Sequence, residues 1–198
     1  MSLKLKQTPS QTAGPFFAFA LSAPQYGYPH DAIAAGNLAE GDIAGERIEI
    51  AGQVLDGANN PISDAMIEIW QADSEGRYAH PADPRPSNQK FRGFGRFGTG
   101  TEPDNRFIFR TVKPGSVDGI QAPHVNFIVF MRGLLTHAYT RCYFSDEADR
   151  NMRDPVLQAV PSSRQQTLIA HREDSPSGAR YRFDIRMQGE AETVFFDV

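Results

Sequence analysis

Fourteen prolines and seventeen glycines are scattered along these 198 residues rather than gathered into one tract. Proline removes a backbone donor and glycine weakens regular structure, so this punctuation cuts the chain into pieces too short for long helices. The pieces in between alternate. ARYRFDIRMQG, from Ala179 to Gly189, sets Tyr181, Phe183, Ile185 and Met187 on one side, with Arg182, Asp184 and Arg186 on the other. That is the two-residue period of a strand with one buried face. RIEIAGQVLD sets Ile48 and Ile50 against Arg47 and Glu49, then runs into turn signals at Asp56-Gly57 and Asn59-Asn60-Pro61. MIEIWQAD, NRFIFRTVKPG, HVNFIVFMRG and AYTRCYF are further strand candidates, and ETVFFDV reads as a last strand.

Helical signal is confined to DEADRNMRDPVLQAV, broken at Pro155, and PSSRQQTLIAHRE, capped by Ser162 or Ser163. TPSQTAGPFFAFAL carries Pro9, Gly14 and Pro15 and should be extended, and residues 23–45 are loop-like. The expectation is an all-β chain: an antiparallel β-sandwich forming one domain over 1–198, with an extended N-terminal arm (1–22) and a short helical insert.

A net charge of -4 without a Lys/Arg run offers no field for nucleic acid. The one cysteine, Cys142, excludes an intramolecular disulfide framework and reads as a small core residue. MSLKLKQTPSQTAGP lacks the apolar core of a signal peptide, and no segment is long enough to span a membrane, so a cytoplasmic location is expected. Nucleophile motifs, paired cysteine ligands and phosphate loops are missing; the glycines of FRGFGRFGTG lack the spacing of a dinucleotide fingerprint.

What remains is APHVNFIVFMRG. His124 and Asn126 stand two residues apart and share a strand face, while Val125, Phe127, Val129 and Met131 face the other way. His-x-His would offer a metal two imidazoles, but asparagine is a poor ligand for a transition metal. The residues alone leave three readings open: a metal site, a metal site that has lost a ligand, or a buried polar pair.

Four blocks in order, IEIWQADSEGRYAH, GFGRFGT, TVKPGSVDGIQAPHVNF and TRCYF, resemble the intradiol ring-cleaving dioxygenases, and more closely the protocatechuate 3,4-dioxygenase family. The resemblance implies a β-sandwich in which catalytic members hold Fe(III) with two tyrosines and two histidines. Tyr78 matches the first tyrosine and His124 the first histidine. Asn126 stands in place of the second histidine, and after the KPG turn Ser116 and Val117 supply no phenol. These are vestigial ligand positions, and no metal is expected on this chain.

That family builds its enzymes from homologous α and β chains, with the iron in β. TPSQTAGPFF, TLIAHR and YRFDIRMQGEAETVFFDV resemble α blocks. The resemblance then implies a non-catalytic α subunit in an αβ multimer that cleaves 3,4-dihydroxybenzoate with O2 to 3-carboxy-cis,cis-muconate. By match, Thr12, Gly14, Pro15 and Arg132 would complete the partner's substrate pocket. The competing expectation is a non-enzymatic β-sandwich binding module.

Overall fold

The computed structural model describes residues 11–14, 16–86, 90–176 and 178–197. Its strands are β1 (Arg47–Leu55), β2 (Met66–Trp70), β3 (Phe94–Gly98), β4 (Arg106–Val112), β5 (His124–Phe130), β6 (Ala138–Phe144), β7 (Ile169–Ser175), β8 (Gly178–Arg182) and β9 (Ile185–Arg186). They follow the order β3-β2-β5-β6-β7-β8-β1-β4, with β9 on β1. Four short helices accompany them: α1 (Phe17–Leu21), α2 (Ala148–Asn151), α3 (Pro155–Gln158) and α4 (Ser162–Gln165).

The path folds over at β7. Its first residues pair in parallel with β6, Tyr143 against Ile169 and Phe144 against Ala170, and the rest pairs antiparallel with β8. One layer, β3-β2-β5-β6, therefore faces a second, β8-β1-β4. Between them lie Ile67 and Ile69 of β2, Val125, Phe127 and Val129 of β5, Ile48 and Ile50 of β1, and Phe107 and Phe109 of β4, all buried. Phe127 sits at the centre, with its ring 5.8 Å from Phe107 and 5.2 Å from Phe183.

The sheet is mixed, not purely antiparallel: β6 with β7, β1 with β8 and β1 with β9 all run parallel. For β6 and β7 the helical segment between them makes this possible, because consecutive parallel strands need a crossover connection rather than a tight hairpin. One strand, β3, went unread in the sequence, and the start of β7 was read as helix, because the expected helix PSSRQQTLIAHRE runs into Ile169–Ser175. In β3 the glycines hide the alternation; they are there because other chain segments pass over the strand, and a Cβ on Gly98 would stand 2.3 Å from the Tyr26 hydroxyl. β7 buries only Ala170 and so lacks a visible apolar face.

Other expectations also change. The arm is not extended throughout: α1 forms where Phe17 packs on Phe130, and a 3₁₀ turn at Ala23–Tyr26 opens the stretch expected to be loop-like, with Phe19 packed on Tyr26. Pro155 begins a helix instead of breaking one, because Asp154 caps α3 by accepting from the Val156 and Leu157 amides. Pro161, rather than either serine, occupies the cap position of α4. ETVFFDV forms no strand among the described residues; Phe196 makes a single bridge to Tyr139. Among the described residues, no helix is long and apolar enough to cross a membrane.

Candidate functional site

The two-residue period of β5 turns Val125, Phe127 and Val129 into the core and leaves His124, Asn126, Ile128 and Phe130 on the outer face of the first layer. Register places Asn126 between Trp70 on β2 and Arg141 on β6, and Ile128 between Glu68 and Tyr139. Both ends of this face are covered. At the His124 end, Tyr143 packs with Leu157, Val160 and Leu168 beneath α3 and α4. At the Phe130 end lies α1. The middle is an open cleft of about 820 Å³, whose walls include Trp70, Tyr78, His80, Phe94, Val117 and Ile128.

His124 is buried, and its Nδ1 lies 2.8 Å from the Ala122 carbonyl. A carbonyl only accepts, so Nδ1 carries the proton of the neutral ring and Nε2 keeps its lone pair. Burial, and then the positive charge of Arg141, push the imidazole pKa down. Asn126 donates to the Trp70 carbonyl at 3.3 Å. Tyr78 stacks on Trp70 with ring centroids 5.6 Å apart and planes 6° from parallel. Burial raises the phenol pKa, against the opposing effects of a hydrogen bond with Asn126 and the charge of Arg141. The phenol is therefore neutral at ordinary pH.

Tyr78, His124 and Asn126 are thus brought together. Val117, after the KPG turn, adds an apolar side chain to the cleft, and the Ser116 hydroxyl turns away to the Gln121 carbonyl at 2.6 Å. The sequence reading missed Arg141, whose Nη1 donates to the Gln121 side chain at 2.8 Å. The signal was present: in AYTRCYF, Arg141 and Tyr143 flank Cys142, so the buried cysteine turns both toward the outer face.

These residues do not fit a ferric ion. A neutral phenol and one imidazole stand with an uncharged amide, a poor ligand for a transition metal, and with a guanidinium cation across the strand pair. Among the described residues no cluster of three or more His, Cys, Asp or Glu could hold a metal.

The residues matched to a substrate pocket lie elsewhere. Thr12 accepts a hydrogen bond from the Gly133 amide at 3.1 Å, which docks the arm on the turn that carries Arg132. Arg132 leaves 63% of its side chain exposed and pairs with Asp64. A Cβ on Gly14 would meet nothing within 4 Å, so the backbone there is open to an incoming group. Pro15 lies outside the described residues. The length of β5, roughly 20 Å, separates this cluster from His124. Beside it, Thr12, Phe17, Phe130, Leu135 and His137 help line a smaller cleft of about 350 Å³.

The sequence pattern of the family described as Dioxygenase matches residues 21–189. The protocatechuate 3,4-dioxygenase alpha chain of Burkholderia cepacia is 50% identical over 195 residues, covering 98% of each chain. A protocatechuate 3,4-dioxygenase beta chain, also from Burkholderia cepacia, is 30% identical over 190 residues, 89% of this chain and 75% of that one. The solved intradiol ring-cleavage dioxygenase of Tetranychus urticae shares the fold with a TM-score of 0.62 at 18% identity, over 92% of this chain and 94% of that one.

Proposed function

The chain belongs to the intradiol dioxygenase family, and from that premise we propose that it is the non-catalytic α subunit of a protocatechuate 3,4-dioxygenase. Its partner is a homologous β chain. Together they cleave 3,4-dihydroxybenzoate with O2 to 3-carboxy-cis,cis-muconate. The observation that carries this reading is a donor set unfit for iron in a chain so similar, end to end, to a named α subunit. Iron would then be held by the β chain, where it would supply Lewis acidity toward the catechol.

The contribution of this chain is a shaped surface. Arg132 offers a planar guanidinium suited to the substrate's carboxylate, and its exposure leaves it free to exchange Asp64 for that carboxylate. Thr12 holds the arm against the same turn, and Gly14 leaves room for close approach. Such a carboxylate contact separates protocatechuate from plain catechol, because its loss leaves a charge unpaired.

Purifying the chain alone and together with its β homologue tests the assignment. The expected result is a colourless chain, and a complex that shows tyrosinate-to-iron absorption and cleaves protocatechuate. In the complex, Arg132→Ala should raise KM for protocatechuate at least about tenfold, the cost of losing a charged hydrogen bond. A coloured, iron-retaining chain on its own would overturn the subunit reading; an unchanged KM would remove Arg132 from the pocket.

A further inference from the structure

A carboxylate of this chain already holds Arg132. The ion pair runs from Arg132 Nε to Asp64 Oδ2, and the two side chains differ in freedom: that of Arg132 is mostly exposed, whereas that of Asp64 is only 15% exposed. Asp64 Oδ2 is itself buried, and among the described residues Arg132 is the one group paired with it.

The turn that carries Asp64 is fixed. Ahead of β2, the Thr99 hydroxyl donates to the Ile62 carbonyl at 2.6 Å and accepts from the Ala65 amide at 3.2 Å. The Thr99 amide donates to the Ala65 carbonyl at 2.9 Å, and Thr99 is buried. A Cβ on Gly100 would stand 2.5 Å from the Ser63 carbonyl oxygen, so this segment lies directly against the turn. The carboxylate therefore stays in place, and the guanidinium is the partner that can leave. Its departure has a cost, because a carboxylate oxygen shut away from water is left without compensation.

We propose that Asp64 is a specificity-determining residue, an internal carboxylate that occupies Arg132 until a ligand carrying its own carboxylate displaces it. The inference rests on reading Arg132 as the group that meets the substrate's carboxylate, and it gives Asp64 the opposite effect. Asp64 weakens the binding of carboxylated ligands and leaves uncharged phenols untouched, since these have nothing to offer the guanidinium in exchange. It thereby moderates the preference for protocatechuate over catechol without removing it.

Steady-state kinetics of the αβ complex test this, with 4-hydroxybenzoate and phenol as competitive inhibitors that differ only in the carboxylate. Asp64→Asn should lower KM for protocatechuate at least about threefold, the effect of releasing a partly exposed ion pair. The inhibition constant of 4-hydroxybenzoate should fall by a similar factor, and that of phenol should not follow. Asp64→Glu keeps the charge and should give no gain. Asp64→Ala supplies a second neutral variant should the asparagine variant fail to fold. Combined with Arg132→Ala, Asp64→Asn should give no gain, because no guanidinium remains to compete for.

If Arg132→Ala leaves KM unchanged, the pocket reading falls, and this inference with it. If Arg132→Ala raises KM while the neutral Asp64 variants leave it unchanged or raise it, the pocket reading stands and the inference alone falls. A gain that extends equally to phenol, appears with Asp64→Glu or persists without Arg132 also overturns it.

Discussion

At the scale of single residues, His124 is a buried histidine whose protonation the fold restricts. Burial and the neighbouring Arg141 hold its pKa below the ordinary value of 6.5. A depressed histidine stabilises the fold above the unfolded pKa, because only the unfolded chain readily takes up the proton below it. Stability should therefore decline as pH falls from about 6.5 through the lower folded value. His124→Gln should flatten the slope of melting temperature against pH over this window; an unchanged slope would place the sensitivity in another group. His124, Asn126 and the core-facing Phe127 were legible in the sequence, because a two-residue period fixes which face each one takes. Arg141 was not read, although the same period was there to be used. A strand arginine reads as a solvent-facing residue until its cross-strand neighbours are known.

Among the elements, β3 and the segment that crosses it decide where the arm begins. Arg96 and Glu68 form a largely buried pair on the outer face, with side chains 7% and 13% exposed. Arg96 Nε donates to Glu68 at 2.8 Å, and its Nη1 donates to the Leu21 carbonyl at the end of α1 at 3.2 Å. Gln25 adds a two-way contact, donating to the Gly98 carbonyl at 2.6 Å and accepting from the Gly98 amide at 2.9 Å. The edge of β3 is thus covered by the arm's own root, which also blocks unwanted pairing. Removing one partner of a buried pair strands the other's charge, so Glu68→Ala should destabilise the chain by about 3 kcal/mol. Denaturant unfolding checks this, and a loss below about 1 kcal/mol would show that the pair is solvated in solution. None of this was visible in FRGFGRFGTG: glycines that make room for a crossing segment look, in sequence, like glycines of a loop.

Considered whole, the molecule presents two unlike outer faces. On the second layer the exposed side chains are paired charges, Arg180 with Glu49 and Arg182 with Asp184. The first layer offers Trp70, Phe94 and Ile128 in an open cleft, with Phe16 and Leu135 exposed near the arm at 77% and 71%. Exposed apolar side chains of this kind mark a protein contact, whereas paired surface charges suit water. The αβ complex should accordingly stay associated in about 1 M salt, where charges beyond about 3 Å are screened. Size-exclusion chromatography checks this; dissociation there would assign the contact to the charged face. The β-sandwich class was readable from the alternating pieces. The layer order and the parallel pairs were not, because they depend on β7, a polar strand whose identity comes only from the partners it meets.

That strand belongs to both layers, first beside β6 and then beside β8. A sandwich of two separate sheets can part like the covers of a book; here the spine is a single continuous run of backbone. Pulling one layer away must break the ladder of the other, so neither can fray far while its mate survives. Loosening of this chain should therefore be all-or-none, and the shape it offers a partner is either complete or lost.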